Sequence, residues 1–268
     1  MRRWGGVANL MTNKKPTIAI YSLTCCDGCE FAILDLPEKL LELTKHAEIK
    51  RWRLLDENGP PADETYDICF VEGSAVTKEN VETLKNLRER SKFLCVLGNC
   101  AEFGGIHRIK NWHDKEQLSR YVYKYAETIE NPKIQNIDEQ VKFDFAIPAC
   151  PLNGEEFYRI VNEMLAGKHP KIEPRPVCYE CQTRGYECIL QKGQICLGPL
   201  TLGGCEAVCL GSKMPCWSCR GLLPEVKLRP DAYKNLLKFL LERHSKDEID
   251  KAMEVFGVKD EYNKLLAA

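Results

Sequence analysis

Fifteen cysteines, eight of them crowded between residues 178 and 219, constrain this 268-residue chain more than any other feature of its sequence. Many cysteines in one chain can mean a disulfide framework, but such frameworks suit small secreted domains that lack a sufficient core. This chain is larger, its cysteine count is odd, and 44% of its residues are hydrophobic. Thiols kept reduced then read as metal ligands or catalytic groups, or as small buried apolar side chains.

Bulk properties narrow the function by exclusion. Thirty-eight Lys and Arg against 39 Asp and Glu leave a net charge of −1. That balance argues against a phosphate-backbone binder, so no nucleic-acid partner is expected. No apolar run approaches the roughly 18 residues of a membrane span, and no membrane anchor is expected in this chain. The opening Met1-Arg2-Arg3-Trp4-Gly5-Gly6 has paired arginines, yet Thr12-Asn13-Lys14-Lys15-Pro16 stands where an export signal needs apolar residues. Residues 1–15 are expected to be disordered or loosely ordered, with Met11 a second candidate start, and the protein cytoplasmic.

Residues 16–170 alternate between strand-like and helix-like segments. Strands are expected at residues 17–21, 49–55, 66–71, 93–97 and 143–147, with helices over 28–46, 78–91 (capped by Thr77) and 153–166. Strands separated by helices imply parallel pairing through right-handed crossovers, hence an α/β, flavodoxin-like doubly wound sheet. Ligands of such sheets sit beyond the carboxyl ends of the strands, where the loops 22–29, 98–105 and 148–151 fall. A Pro-rich stretch over 168–176 marks a boundary, and residues 177–223 then carry eight cysteines and seven glycines with little periodicity. So little apolar surface implies a small irregular domain, over 171–223, whose core is the metal it binds. A helical segment follows over 224–268, with a capping box at Ser245-Lys246-Asp247-Glu248 opening its last helix, which ends near Gly257.

The cysteines form two constellations. Cys26, Cys29, Cys100 and Cys150 each fall at or just after the end of an expected strand, among Gly28, Gly98, Gly104 and Gly105. Parallel strands bring such ends together, and small residues let backbone N–H groups approach sulfur. Cys150 precedes Pro151, and a Cys-Pro pair also closes the bacterial ferredoxin run. Unrelated buried thiols beside a redox CxxC are the alternative. The second set is Cys178-x2-Cys181-x6-Cys188-x7-Cys196-x8-Cys205-x3-Cys209-x6-Cys216-x2-Cys219. Eight thiols divide naturally into two sets of four, for iron–sulfur clusters or zinc. The 34 residues between the outer CxxC pairs exceed the spacing of a zinc ribbon and contain four more cysteines, which favours iron–sulfur. Cys69 and Cys95 lie inside apolar strands and read as core residues, while Cys25 either packs away or competes with Cys26. The histidines at 46, 107, 113, 169 and 244 show no ligand pattern.

At these residues the sequence resembles the small subunit of [NiFe] hydrogenases, in particular the delta subunits of soluble NADP-linked enzymes, or sulfhydrogenases. The segments that carry the likeness are Thr24-Cys25-Cys26-Asp27-Gly28-Cys29, Val96-Leu97-Gly98-Asn99-Cys100-Ala101-Glu102-Phe103-Gly104-Gly105 and Pro148-Ala149-Cys150-Pro151. Cys196-Leu197-Gly198-Pro199-Leu200-Thr201-Leu202-Gly203-Gly204-Cys205 and Pro215-Cys216-Trp217-Ser218-Cys219-Arg220-Gly221 complete it. The resemblance implies three [4Fe-4S] clusters. Cys26, Cys29, Cys100 and Cys150 would hold the proximal one, Cys178, Cys181, Cys188 and Cys196 the distal one, and Cys205, Cys209, Cys216 and Cys219 the medial one. It also implies a large-subunit partner holding the Ni–Fe centre, and a flavin/NAD(P)-binding or other iron–sulfur partner that receives the electrons. This chain has departures: Cys178 where many members have histidine, and Cys209 where many hold a three-iron cluster. Both should lower the cluster potentials. The chain has no Ni–Fe catalytic site of its own, because its CxxC pairs are already taken by the expected clusters. The same residues leave two other readings, a hydrogen-independent multi-cluster carrier and a zinc-stabilised binding module.

Overall fold

Short runs with β-branched and aromatic residues become the five strands of one parallel sheet, three of them closed by Gly73, Gly98 or Pro148. The structure, a computed structural model, describes residues 14–55, 64–130, 132–224 and 231–267. The expectation for residues 1–13 lies outside them. The strands are β1 (Thr17–Ser22), β2 (Glu48–Trp52), β3 (Tyr66–Glu72), β4 (Ser91–Leu97) and β5 (Phe145–Ile147), in the order β2-β1-β3-β4-β5. Every pairing is parallel. This is the flavodoxin-like order, and the sheet reverses its direction of winding between β1 and β3. Both faces are covered, as parallel sheets require. Ala19, Cys69, Val71, Leu94 and Val96 pack with Leu84 and Leu87 of the helix Lys78–Arg90. Phe70, in the same strand as Cys69, meets Phe157 of the helix Gly154–Leu165, ring centroids 5.1 Å apart.

The chain divides into two compact units. The described residues up to 102 join 134–171, and residues 103–133 join those from 172 onward. The sheet belongs to the first. In the second, Leu197, Leu200, Leu222 and Leu223 form an apolar core with Tyr233, Leu236 and Leu240 of the helix Asp231–Leu241. Ile249 and Met253 of the helix Lys246–Glu254 and Tyr262 and Leu265 of the helix Lys259–Ala267 complete that core. The cysteine-rich segment therefore does not depend on metal alone for a core. Its scattered leucines are too few to be recognised as a core until the C-terminal helices supply the opposite wall. Arg108, buried near Phe103, donates to Asp260 at 2.8 Å across 152 residues of sequence.

The loop expected over 98–105 opens as the helix Gly98–Phe103, the strands expected over 49–55 and 143–147 are shorter, at Glu48–Trp52 and Phe145–Ile147, and two expected helices differ. The single helix expected over 28–46 is two, Gly28–Leu34 and Pro37–His46. Pro37 cannot donate into a continuing helix and disfavours helical geometry at Leu36, so it opens a new helix at its first position instead. The last helical segment does end a helix before Gly257 (φ 73), but a further helix, Lys259–Ala267, follows it.

The capping box at Thr77 forms in full, with Thr77 Oγ1 accepting from Asn80 N at 3.1 Å. Asn80 Oδ1 also accepts from Thr24 Oγ1 at 2.8 Å, which ties the first cysteine loop to this helix. Thr77→Ala is expected to lower stability by about 1 kcal/mol, and Asn80→Ala by more, because it also releases Thr24. Denaturant unfolding of the two variants measures the difference.

Candidate metal centres

The parallel sheet brings four loops to one edge, three of which carry cysteines. Leu23 N donates to Glu72 O at 2.8 Å, and Thr24 and Ser74 exchange backbone hydrogen bonds of 3.1 and 2.9 Å. Ser74 Oγ donates to the carbonyl of Cys100 at 2.8 Å, and Asn99 N to that of Ala149 at 2.7 Å. These bonds link the loops after β1, β3, β4 and β5, so Cys26, Cys29, Cys100 and Cys150 converge although 124 positions separate the outermost two. Cys29 lies within electrostatic reach of Cys150 and Cys100, and Cys150 of Cys26. Gly98 (φ 76) is required here: a Cβ at this position would stand 2.5 Å from Cys29 Sγ. Cys25 turns elsewhere, its Sγ donating to Asp27 Oδ1 at 3.1 Å and lying 3.8 Å from the Leu23 carbonyl.

Two buried carboxylates support this site. Glu72 is 2% exposed and accepts from Cys29 N (3.2 Å) and Glu30 N (3.0 Å). It thereby caps the short helix Gly28–Leu34, whose own Asp27 makes no side-chain cap. Burial, partly opposed by those two N–H groups, raises Glu72 to about 6. Glu30 is fully buried and accepts from Trp52 Nε1 at 2.6 Å and from Ser22 Oγ. Cys29 N lies 43 residues from Glu72 and Trp52 lies 22 residues from Glu30, so no local sequence pattern marks either carboxylate.

In the second unit, Cys178 is reached by Cys196, Cys181 and Cys188, and Cys181 by Cys196 and Cys188. Gly198 sits between two of them, where a Cβ would stand 3.4 Å from Cys178 Sγ and 3.5 Å from Cys196 Sγ. Cys205 neighbours Cys209, and Cys216 neighbours Cys219, while both pairs border Cys196. Cys216 N donates to Cys196 Sγ at 3.4 Å. Further backbone N–H groups reach sulfur: Leu152 to Cys29, Ala207 to Cys205 and Ser218 to Cys216. Ser218 holds φ 62 within the last CxxC, and the buried Tyr262 donates to its Oγ at 3.0 Å. A residue of positive φ between two thiols, clamped by a side chain from the C-terminal helix, fixes the direction of those thiols.

Burial raises thiols in both constellations, pushing Cys178 up to about 12, with Cys196, Cys181 and Cys188 adding to the effect. Grouped thiolates are costly in a low dielectric unless a cation is among them, and metal binding reverses that cost by displacing the protons. Donor type, N–H···S bonds and glycine cradles all suit iron–sulfur clusters. Among the described residues no three His, Cys, Asp or Glu side chains are close enough to share one ion. Ligands of a four-iron cluster, one thiolate per iron, stand further apart than that. Cys69 and Cys95 are fully buried in the sheet, apart from either constellation. His46 pairs with Glu42, His113 with Glu254, and His169 and His244 bond backbone carbonyls. No helix among the described residues is long and apolar enough to cross a membrane.

A flavodoxin-like sheet with thiols gathered at its carboxyl edge, followed by a second cysteine-rich unit, defines an iron–sulfur electron-transfer subunit of an oxidoreductase complex. Residues 26–164 match the family model of the NADH ubiquinone oxidoreductase 20 Kd subunit. The chain belongs to this family, as a hydrogenase small subunit. It is 35% identical to sulfhydrogenase 2 subunit delta of Pyrococcus furiosus, over 76% of this chain and 85% of that one. It is 30% identical to the delta subunit of the NAD-reducing hydrogenase HoxS of Cupriavidus necator, over 58% of this chain and 80% of that one. Among solved structures, NAD+-reducing [NiFe]-hydrogenase in the H2-reduced state matches at a TM-score of 0.53 and 27% identity, covering 59% of this chain and 95% of the other.

Gly98→Ala forces Cys29 Sγ out of its position. The variant is expected to retain less iron per chain than the parent while keeping the iron held by the second unit. Iron analysis of anaerobically purified protein, followed by separate analysis of protease-resistant fragments, checks both halves of that statement.

Proposed function

We propose that this chain is the electron-relay subunit of a cytoplasmic [NiFe] hydrogenase, carrying three [4Fe-4S] clusters. The observation that carries the reading is the gathering of twelve thiols in two constellations, four at the sheet edge and eight within residues 178–219, in a chain of the hydrogenase small-subunit family. Cys26, Cys29, Cys100 and Cys150 hold the proximal cluster, Cys178, Cys181, Cys188 and Cys196 the distal, and Cys205, Cys209, Cys216 and Cys219 the medial. When bound, such clusters supply one-electron chemistry over a wide range of potentials. The residues around them keep the thiols fixed and water limited, and donate N–H groups to sulfur, which lowers the cost of ionisation.

Hydrogen is split at a Ni–Fe centre in the large-subunit partner, and this chain's part is to take up and deliver electrons. A flavin/NAD(P)-binding subunit is the proposed acceptor, supported by the likeness to an NAD+-reducing hydrogenase. Domain by domain, the proposal assigns the proximal cluster to residues 16–170, the other two to 171–223, and a supporting role to 224–268.

Anaerobic purification of the native complex tests this directly. About twelve irons and a matching amount of acid-labile sulfide per chain are expected, together with a nickel-containing partner. Zinc without labile sulfide contradicts the proposal, and clusters without a nickel partner reduce it to a hydrogen-independent carrier.

A further inference from the structure

Two buried charges of opposite sign flank one turn of the second unit. Arg220 is 1% exposed and Glu180 7%. Arg220 Nε donates to the carbonyl of Gly203 at 2.8 Å. Gly204 N donates to Glu180 Oε1 at 2.6 Å, and Cys205 Sγ lies 4.0 Å from Glu180 Oε2. Gly203 lets the carboxylate come this close, since a Cβ there would stand 3.1 Å from Oε1. Arg175, half exposed, reaches the same oxygen at 3.7 Å from the outer side. The segment Gly203-Gly204-Cys205 is thus held by a guanidinium and a carboxylate.

Burying a guanidinium is costly unless anionic charge is close by. Burial raises the Cys205 thiol, Arg220 pulls against that rise, and Glu180 and Cys209 add to it. The same two fields act on any redox centre held there. Adding an electron to a buried centre is favoured by a fixed positive charge and opposed by a fixed negative one, most strongly where water is excluded. Arginine suits the first role because it stays charged at any ordinary pH.

We infer that Arg220 and Glu180 set the reduction potential of the centre at Cys205, Cys209, Cys216 and Cys219, with Arg220 raising it and Glu180 lowering it. The inference rests on reading that centre as an iron–sulfur cluster. It gives both residues a role in tuning electron transfer, beyond supporting the turn.

Potentiometric EPR of the anaerobically purified complex tests it, with Cys209→Ala identifying which signal belongs to this centre. In Arg220→Gln, at the wild-type midpoint, the reduced-to-oxidised ratio of that signal is expected to fall on the order of tenfold, a downward shift of about 59 mV for one electron. Glu180→Gln is expected to move the same signal upward, Arg220→Lys to leave it near its wild-type position, and the other two signals to stay in place. Variants that keep full iron but leave this midpoint unmoved, or move it the opposite way, overturn the inference alone. If Arg220→Gln fails to retain the cluster, Glu180→Gln decides: an upward shift supports the inference and no shift overturns it. A wild-type complex without this signal overturns the proposed function, and the inference with it.

Discussion

Like-charged thiolates held together in a low dielectric repel one another, and the architecture is arranged around that cost. Cys29 and Cys150 are raised by burial and by neighbouring thiols, and so are Cys178 and Cys196. A chain folding for its own stability alone would keep such groups apart or oxidise them in pairs. Here none of the fifteen cysteines is joined in a disulfide. Metal binding displaces the thiol protons and offsets that repulsion, which is why a donor set of this kind suits a metal cofactor.

The two units meet this demand differently. In the first, a parallel sheet with both faces covered provides rigid strand ends, and ligands from distant loops meet where those ends align. Backbone bonds between the loops and the cap that Glu72 gives to Cys29 N and Glu30 N hold the arrangement. In the second, the cysteines are close in sequence, and a short irregular backbone wraps around them. Val177, Ile189, Ala207 and Leu210 pack directly with Cys181, Cys196 and Cys216, so apolar packing and thiol placement are one cluster. The C-terminal helices add an ordinary hydrophobic wall, and Tyr262 reaches from it to Ser218 within the last CxxC. Removing that hydroxyl would loosen the CxxC loop without altering either of its thiols.

Much of this was legible in the sequence, because local chemistry controls it. Apolar runs ended by glycine gave away the strands, Thr77 and Ser245 announced their capping boxes, and CxxC spacing located the thiols. What escaped depends on contacts between residues far apart in sequence. The pairing of Arg108 with Asp260 spans 152 positions, and it draws residues after 102 into the second unit. No local pattern marks Glu72 as the cap of a helix 43 residues earlier, or Glu180 as the partner of Gly204. Pro37 is a legible signal within the apolar spacing of 28–46, and the helix breaks there. The leucines of 197–223 show no core pattern of their own, because their partners lie beyond the cysteine-rich segment.

Crystals of the anaerobic complex, measured on both sides of the iron absorption edge, test the central claim most directly. The account predicts three separate iron peaks, each a compact four-metal cluster. One would lie among Cys26, Cys29, Cys100 and Cys150, and the other two among the eight cysteines of residues 178–219. Single-atom peaks at the zinc edge in those places, or thiols with no metal beside them, would contradict it.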